Sequence, residues 1–348
     1  MRNPLTSLDL YFLVRELKRI KNSYIEKIWS IEREYYVIKI RGEKEKGFIC
    51  YKQPGLLWLS RTKPASSMLT SFAQLLRSRI ERKKILEIKQ IRSERIVEFL
   101  IEDDYKLVIE LIPPGNMLLL KNDIIEGALY YKEWGKRTIR KGEKYSAPLS
   151  IDYLNMEKEE LMRQLSILLE KTRNNAKALA LLGLGGIYGE EIVARSRVEK
   201  EDLRNESRIR IIEEFLKLKD TDTRGFIYGE EVFPIRLITL GDPDKTYNTF
   251  SEAIEELVSR EVRDPELERL EKELKALEKN IEEQREALSL HEEEAEKNRK
   301  IGELIYEHYQ EIEALLGDYK KGLALEELKE KHKILREIRK GILIIELD

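Results

Sequence analysis

An α+β fold continued by a long helical arm is expected from three features of the chain. Segments rich in Val, Ile, Tyr and Phe alternate with charged or Gly/Pro turns through residues 24–120. The texture becomes helical after Asn155, and a leucine seam in steps of three and four begins at Leu267. Period-two segments bury one face of a sheet, whereas steps of three and four bury one face of a helix.

After Ser7, read as an N-cap, Leu10, Leu13, Leu17 and Ile20 recur at helical spacing and define a first helix over 8–20. Strands follow at 24–31, 35–40, 47–51 and 56–60, divided by turns such as Arg41-Gly42 and Gln53-Pro54-Gly55. They read as an antiparallel meander. A second amphipathic helix, 67–80, leads to strands at 85–91, 95–101 and 107–112, then the turn Pro113-Pro114-Gly115-Asn116 and a strand at 117–120. Trp29, Trp58 and Trp134 lie in or beside these strands and read as packing residues.

Helices are expected at 157–171 and 176–182, the latter ending in Gly183-Leu184-Gly185-Gly186-Ile187-Tyr188-Gly189 before Glu190-Glu191 restarts a helix. This is the pattern of a helix-hairpin-helix, in which Gly allows the sharp turn and the second helix offers N-terminal N–H groups to a phosphate; a ligand-free turn between packed helices gives the same pattern. A short hairpin is expected over 225–228 and 232–237, and a further helix over 250–258. From Pro265, the positions Leu267, Leu270, Leu274, Leu277, Ile281, Gln284, Leu288 and His291 form a coiled-coil seam, with a phase slip at Ala295 and Asn298 and a stop at Gly317. Some fifty helical residues would span ~75 Å. One helix cannot bury its own seam, so its partner is expected from elsewhere in the full protein or from a second copy. A basic helix over 325–339 and an apolar strand over 341–348 without a mate close the chain, which is expected to be a piece of a longer protein. The expected division is 1–153, 154–262, 263–316 and 317–348.

Composition narrows the function. With 348 residues, two or three units are expected; one Cys, Cys50, excludes an internal disulfide, and three His make a Cys/His zinc site implausible. No apolar run approaches the ~20 residues that cross a bilayer and no signal-peptide block opens the chain, so a cytoplasmic protein without membrane partners is expected. The richness in Lys, Glu, Arg and Ile resembles hyperthermophile composition. The net charge of −2 hides a split: residues 1–150 hold 30 Lys+Arg and 19 Asp+Glu, a net of +11, leaving −13 for the rest. The span 61–95 alone carries ten basic residues against Glu81, Glu87 and Glu94, so the front of the chain is expected to bind a polyanion. Arg77, Arg79, Arg82, Lys83 and Lys84 suit backbone phosphates, or they simply solvate a helix end. An Arg such as Arg95 can fork onto a phosphate or stack on a base with Glu94 orienting it; the plainer reading is a surface ion pair. Asp9 equally suits the dipole of the first helix.

Several pieces resemble the NFACT family of ribosome-associated quality control: Ser7-Leu8-Asp9-Leu10; Phe72 with Leu76-Arg77; Gln90 followed by Glu94-Arg95-Ile96-Val97; Gly115-Asn116; Arg140-Lys141-Gly142 with Tyr145 and Pro148; the Gly183–Gly189 turn; and the coiled coil. Their order covers nearly the whole chain and looks most like an archaeal member without the C-terminal RNA-binding domain. The resemblance implies an N-terminal module similar to the N-domain of formamidopyrimidine glycosylases, a helix-hairpin-helix domain, and a coiled coil with a small middle domain at its tip. It further implies binding to a large ribosomal subunit blocked by peptidyl-tRNA through rRNA and the stalk base, and recruitment of tRNA for template-free addition of alanine. The ribosome would form the bonds, with no cofactor. Asp9, Arg77, Glu94 and Arg95 would engage tRNA. Glu94 stands where the family has Asp, and Arg92-Ser93 where Gly is common.

Two other readings compete. Base excision in glycosylases uses an N-terminal Pro-Glu pair, whereas this chain starts Met1-Arg2-Asn3-Pro4, and no triad, phosphate loop or zinc pattern replaces it. Adhesion, the family's historical label, lacks a secretion signal, disulfides or an anchoring sequence here.

Overall fold

The computed structural model describes residues 5–32, 35–43, 46–64, 69–134, 137–262 and 265–347. They form two compact units, 1–263 and 264–348.

The first unit opens with α1 (Ser7–Leu17), capped by Thr6 rather than Ser7. The Thr6 hydroxyl accepts from the Asp9 N–H, and the Asp9 carboxylate accepts from the Thr6 N–H. That reciprocal pair is a capping box, with Asp in the place usually held by Glu or Gln. A 3-10 turn, Lys18–Ile20, finishes the helix. Helix α1 is apolar on more than one face because it serves two cores. Leu10, Leu13 and Leu17 pack with the strands, whereas Leu8 and Phe12, one turn apart, pack with the helices downstream.

Strands β1 (Tyr24–Glu32), β2 (Tyr35–Arg41), β3 (Lys46–Lys52) and β4 (Leu56–Ser60) pair in sequence order as the expected antiparallel meander. Helix α2 (Ser71–Ile80) is shorter than expected: Thr70 caps it by accepting from the Ala73 N–H, and residues 67 and 68 lie outside the described residues. From α2, Arg77 donates to the carbonyl of Ile28 and Glu81 accepts from its N–H, covering part of the open edge of β1. A second meander comprises β5 (Ile85–Gln90), β6 (Ile96–Ile101), β7 (Tyr105–Glu110), β8 (Asn116–Lys121) and β9 (Ile124–Ala128). The tight β6–β7 and β8–β9 turns place Asp103-Asp104 and Asn122-Asp123 at positive φ. Asn and Asp tolerate that region, and two successive left-handed residues match the twist of a hairpin. A small ribbon, β10 (Lys132–Trp134) with β11 (Arg137–Ile139), follows.

Four helices come next: α3 (Lys158–Thr172), α4 (Asn175–Leu179), α5 (Gly185–Ser196) and α6 (Asn205–Lys219). Helix α5 starts at Gly185, not at Glu190, so Gly186 and Gly189 lie within it. A Cβ on Gly189 would stand 2.6 Å from the carbonyl oxygen of Ala176, so glycine is what lets α4 and α5 approach. Strands β12 (Gly225–Tyr228), β13 (Glu231–Phe233) and β14 (Lys245–Tyr247) form a three-stranded sheet, and α7 (Phe250–Val262) follows. The stretch from Gly225 to Val258 does not stay with the helices. Phe233, Ile235 and Leu237 join their core, while Ile227, Phe250, Ile254 and Val258 return to the core of the first meander.

The second unit begins with α8 (Pro265–Glu307), 43 residues or about 65 Å of helix that continues unbroken through Ala295 and Asn298. Leu274, Leu277, Ile281, Leu288, Ile301 and Ile305 are exposed along it. Helix α9 (Tyr309–Lys320) runs through Gly317, which therefore does not end the helical stretch. The expected helix over 325–339 is a short helix, α10 (Leu325–Lys331), and a strand, β15 (Leu335–Arg339). The terminal strand β16 (Ile342–Ile345) does have a mate, namely β15. Asp318 ties α9 to the end of α10, with Lys331 at 2.6 Å and His332 at 3.1 Å. No described helix is long and apolar enough to cross a membrane.

Candidate nucleic-acid interface

The turn from β5 to β6 is held by its own sequence. Gln90, at the end of β5, donates from Nε2 to the carbonyls of Glu94 (2.8 Å) and Ser7 (2.9 Å), tying the turn to the first residue of α1. Arg92 takes φ of +52°, so the left-handed geometry that the resemblance associates with Gly is met by an arginine, at a cost of about 1 kcal/mol. Buried Ser93 donates to Asp152 (3.0 Å) and accepts from the Leu154 N–H (2.8 Å), which pins the following linker underneath. Glu94 and Arg95 are left at the surface of this fixed turn.

Both side chains lack a hydrogen bond or ion pair among the described residues. Arg95 is half-buried, and burial lowers its pKa against the opposing pull of Glu94. A guanidinium stays charged under such a shift. The chain thus holds a half-buried cation beside a carboxylate, both still open to solvent and to an incoming ligand.

The same corner gathers the start of α1 and the glycine turn. The hydroxyls of Ser7 and Tyr153 are 2.5 Å apart, and the Ser7 hydroxyl reaches the carbonyl of Gly183 at 3.4 Å. Gly183 has φ of +125°, and a Cβ there would meet the Tyr153 ring at 2.7 Å, so only glycine passes over this tyrosine. Burial raises the Tyr153 pKa, and the charges of Asp9 and Glu94 raise it further, although its bond to Ser7 opposes them. Gly185 has φ of +78°, and neither it nor Gly186 has an atom within 4 Å of a built Cβ. The first turn of α5 therefore starts with open space beside it and without a side-chain cap, the arrangement in which a helix start can meet an anion.

Asp9 sits beneath this surface. It is 3% exposed, accepts from the Thr6 N–H and hydroxyl at 2.8 Å each, and takes a 2.5 Å bond from the buried Tyr188 hydroxyl of α5. Burial, then the Asp9 carboxylate, push the Tyr188 pKa well up, so Tyr188 is the donor. Asp9 thus joins α1 to α5 rather than facing solvent.

The basic group expected to line phosphates lies at the other end of β5, a strand of about 20 Å. There Arg77 bonds the Ile28 carbonyl and lies 3.6 Å from Glu81, Arg79 pairs with Glu126 at 3.0 Å, Lys83 pairs with Asp103, and Lys84 lies over the Tyr24 ring. Arg82 is exposed at positive φ. Adjacency in sequence does not bring these five to Arg95. Trp29 and Trp58 are core residues, while the Trp134 side chain lies outside the described residues. Gln90 was legible as part of a motif; Ser93, Tyr153 and Tyr188 carry no local signal, because their partners are distant in sequence. No cluster of potential metal ligands occurs among the described residues.

Comparison with known proteins bears on this architecture. The chain is 30% identical, over 97% of its length, to the archaeal Rqc2 homolog aRqcH of Methanocaldococcus jannaschii, and it spans about half (55%) of that relative. Two solved structures share the fold. The N-terminal part of the fibronectin/fibrinogen-binding protein of Streptococcus suis has a TM-score of 0.61 at 18% identity, covering 75% of this chain and 99% of that one. The fibrinogen-binding protein of Staphylococcus aureus has a TM-score of 0.60 at 19% identity, covering 72% and 97%. Residues 6–334 match the family described as NFACT N-terminal and middle domains, and with that span and the archaeal relative the chain belongs to the NFACT family.

Proposed function

We propose that the chain is the RNA-binding part of a ribosome-associated quality control factor. It binds large ribosomal subunits that carry a stalled peptidyl-tRNA and recruits tRNA for template-free alanine tailing. The ribosome performs peptidyl transfer, so the protein supplies no catalytic group and needs no cofactor. The observation that carries this reading is the half-buried Arg95, without an ion pair among the described residues, beside Glu94 on the corner that also holds the glycine turn and the uncapped start of α5. A guanidinium and free helix N–H groups bind phosphate, and a carboxylate next to them accepts from a base amino group. Asp9 acts by holding α1 against α5 under that corner. The cations from Arg77 to Lys84 contribute a weaker, general attraction.

In this reading the β-rich front is the glycosylase-N-domain-like module, α4 and α5 with Gly183, Gly185, Gly186 and Gly189 are the helix-hairpin-helix, and α8 is one strand of a coiled coil. That coiled coil carries the small C-terminal unit as its tip, which meets rRNA and a stalk-base protein. Its exposed seam pairs with a returning helix or a second copy, and the protein works in the cytoplasm. The archaeal Rqc2 homolog supports the quality-control setting.

Gel-shift titration of tRNA tests the site. Arg95→Ala is expected to weaken binding about tenfold, the value of one charged contact to a base or phosphate, while Lys320→Ala leaves it within twofold. Affinity for tRNA should fall as salt rises. Equal effects of the two substitutions would remove Arg95 from the interface.

A further inference from the structure

A cavity of about 320 Å³ opens on the first meander, away from the Arg95 corner. Among the described residues its charged lining is basic: Lys27 on β1, Lys39 on β2, Lys63 after β4 and Arg77 on α2. Its apolar lining is Trp29, Phe48 and Leu69. The register explains the juxtaposition. Lys27 is directly opposite Lys39, and Lys39 directly opposite Phe48, so the three share one face across adjacent strands. Trp29, two residues beyond Lys27, meets Phe48 edge to face with centroids 5.9 Å apart.

Opposed like charges destabilise a sheet, and carboxylates offset only two of the four cations among the described residues. Glu26 pairs with Lys39 at 2.5 Å, whereas Lys27 and Lys63 have no carboxylate partner among the described residues. Arg77 spends its Nε on the Ile28 carbonyl with Glu81 3.6 Å away, which leaves its terminal nitrogens for other contacts. Trp29 is 3% exposed, and its indole N–H has no acceptor. Among the described residues, the polar side chains that line the cavity are all donors, although the indole N–H is sealed from solvent.

Such a lining selects an oxyanion, and Lys27 and Lys63, uncompensated beside Lys39 and Arg77, leave about two positive charges for it to meet. A phosphate monoester, with a charge near −2 and three acceptor oxygens, matches them. The volume lies at the lower end for small-molecule sites and exceeds that of a bare anion, and exposed Leu69, with the edges of buried Trp29 and Phe48, gives it an apolar wall for an organic group. We propose that this cavity binds a nucleotide 5′-monophosphate, with Lys27, Lys39, Lys63 and Arg77 around the phosphate and the apolar wall against the sugar and base. The source is a free mononucleotide or the phosphorylated 5′ end of an RNA strand. This site does not depend on the tRNA reading of Arg95.

The test follows the indole ¹H–¹⁵N signal of Trp29 in the whole chain, assigned by its loss in Trp29→Phe, during titration with 5′-AMP, adenosine, inorganic phosphate, pApApA and ApApA. Saturable movement with 5′-AMP is expected, with affinity at least tenfold lower in the Lys27→Gln/Lys63→Gln double variant, since two charge-assisted contacts are removed. Both lysines are exposed, so the variant should melt with the wild type. Arg95→Ala should leave 5′-AMP binding unchanged, which separates this site from the tRNA surface. Movement with pApApA but not ApApA would identify a strand end as the source; movement with 5′-AMP alone would identify the free nucleotide. Absence of saturable movement with 5′-AMP or pApApA at about 10 mM, or equal affinity for adenosine or inorganic phosphate, would overturn the assignment.

Discussion

Replacing Asp9 with alanine is expected to destabilise the first unit by about 3 kcal/mol, lowering its melting temperature by roughly 10 °C. Loss of the capping box with Thr6 accounts for about 1 kcal/mol, and the stranded hydroxyl of buried Tyr188 for a further 1–3 kcal/mol. Asp9→Asn retains an acceptor for Tyr188 and should recover roughly half of the loss. Tyr188→Phe, which removes the donor and leaves the cap, should cost about 1 kcal/mol. Fluorescence of Trp29 and Trp58, both in the first unit's core, follows the transition. The comparison also decides what Asp9 does. A variant that melts like the wild type yet loses tRNA binding would show the carboxylate to be a ligand contact, against the buried network drawn here.

The contrast between Asp9 and Arg95 shows where reading a sequence works and where it stops. Strands such as Tyr35–Arg41 and Ile96–Ile101 announce themselves because their Val, Ile, Tyr and Phe content suits a buried sheet. The corner with Glu94 and Arg95 could be picked out by its resemblance to a family motif. The burial of Asp9 could not, since its partner Tyr188 is 179 residues away. Similarly, Arg77 to Lys84 look like one patch with Arg95 in a linear count of charge, but β5 carries the chain away from them and carboxylates occupy several of them. Strand β15 misleads for a different reason. Leu335 and Ile338 are three residues apart, a helical step, yet a bulge between Leu335 and Glu337 puts both on the small core while the strand pairs with β16. Helix α6 is missing from the elements expected of the sequence even though Ile211, Phe215 and Leu218 have helical spacing and are buried.

Acid sensitivity should centre on Glu191 of α5, whose side chain is wholly buried. Burial pushes its pKa up, but bonds from the N–H groups of Thr239 and Ile238, from the Thr239 hydroxyl and from Arg195 outweigh it and hold the carboxyl below its ordinary value. One carboxylate thereby fastens α5 to the segment that follows β13. Glu191→Ala would leave four donors short of an acceptor and is expected to cost about 3–5 kcal/mol. Glu191→Gln keeps the shape but has one acceptor oxygen for those donors, so it should cost less. The folded carboxyl titrates below the unfolded one, near 4.3, so the unfolded chain takes up the proton first as pH falls. The stabilisation from ionised Glu191 is complete above about pH 5 and drains away as pH drops through the folded value. Urea unfolding at a series of pH values should show the wild-type advantage over Glu191→Gln to be greatest near neutrality and to shrink steadily towards about pH 3. A gap that stayed constant across that range would mean that hydrogen bonding and shape, rather than the buried negative charge, secure α5.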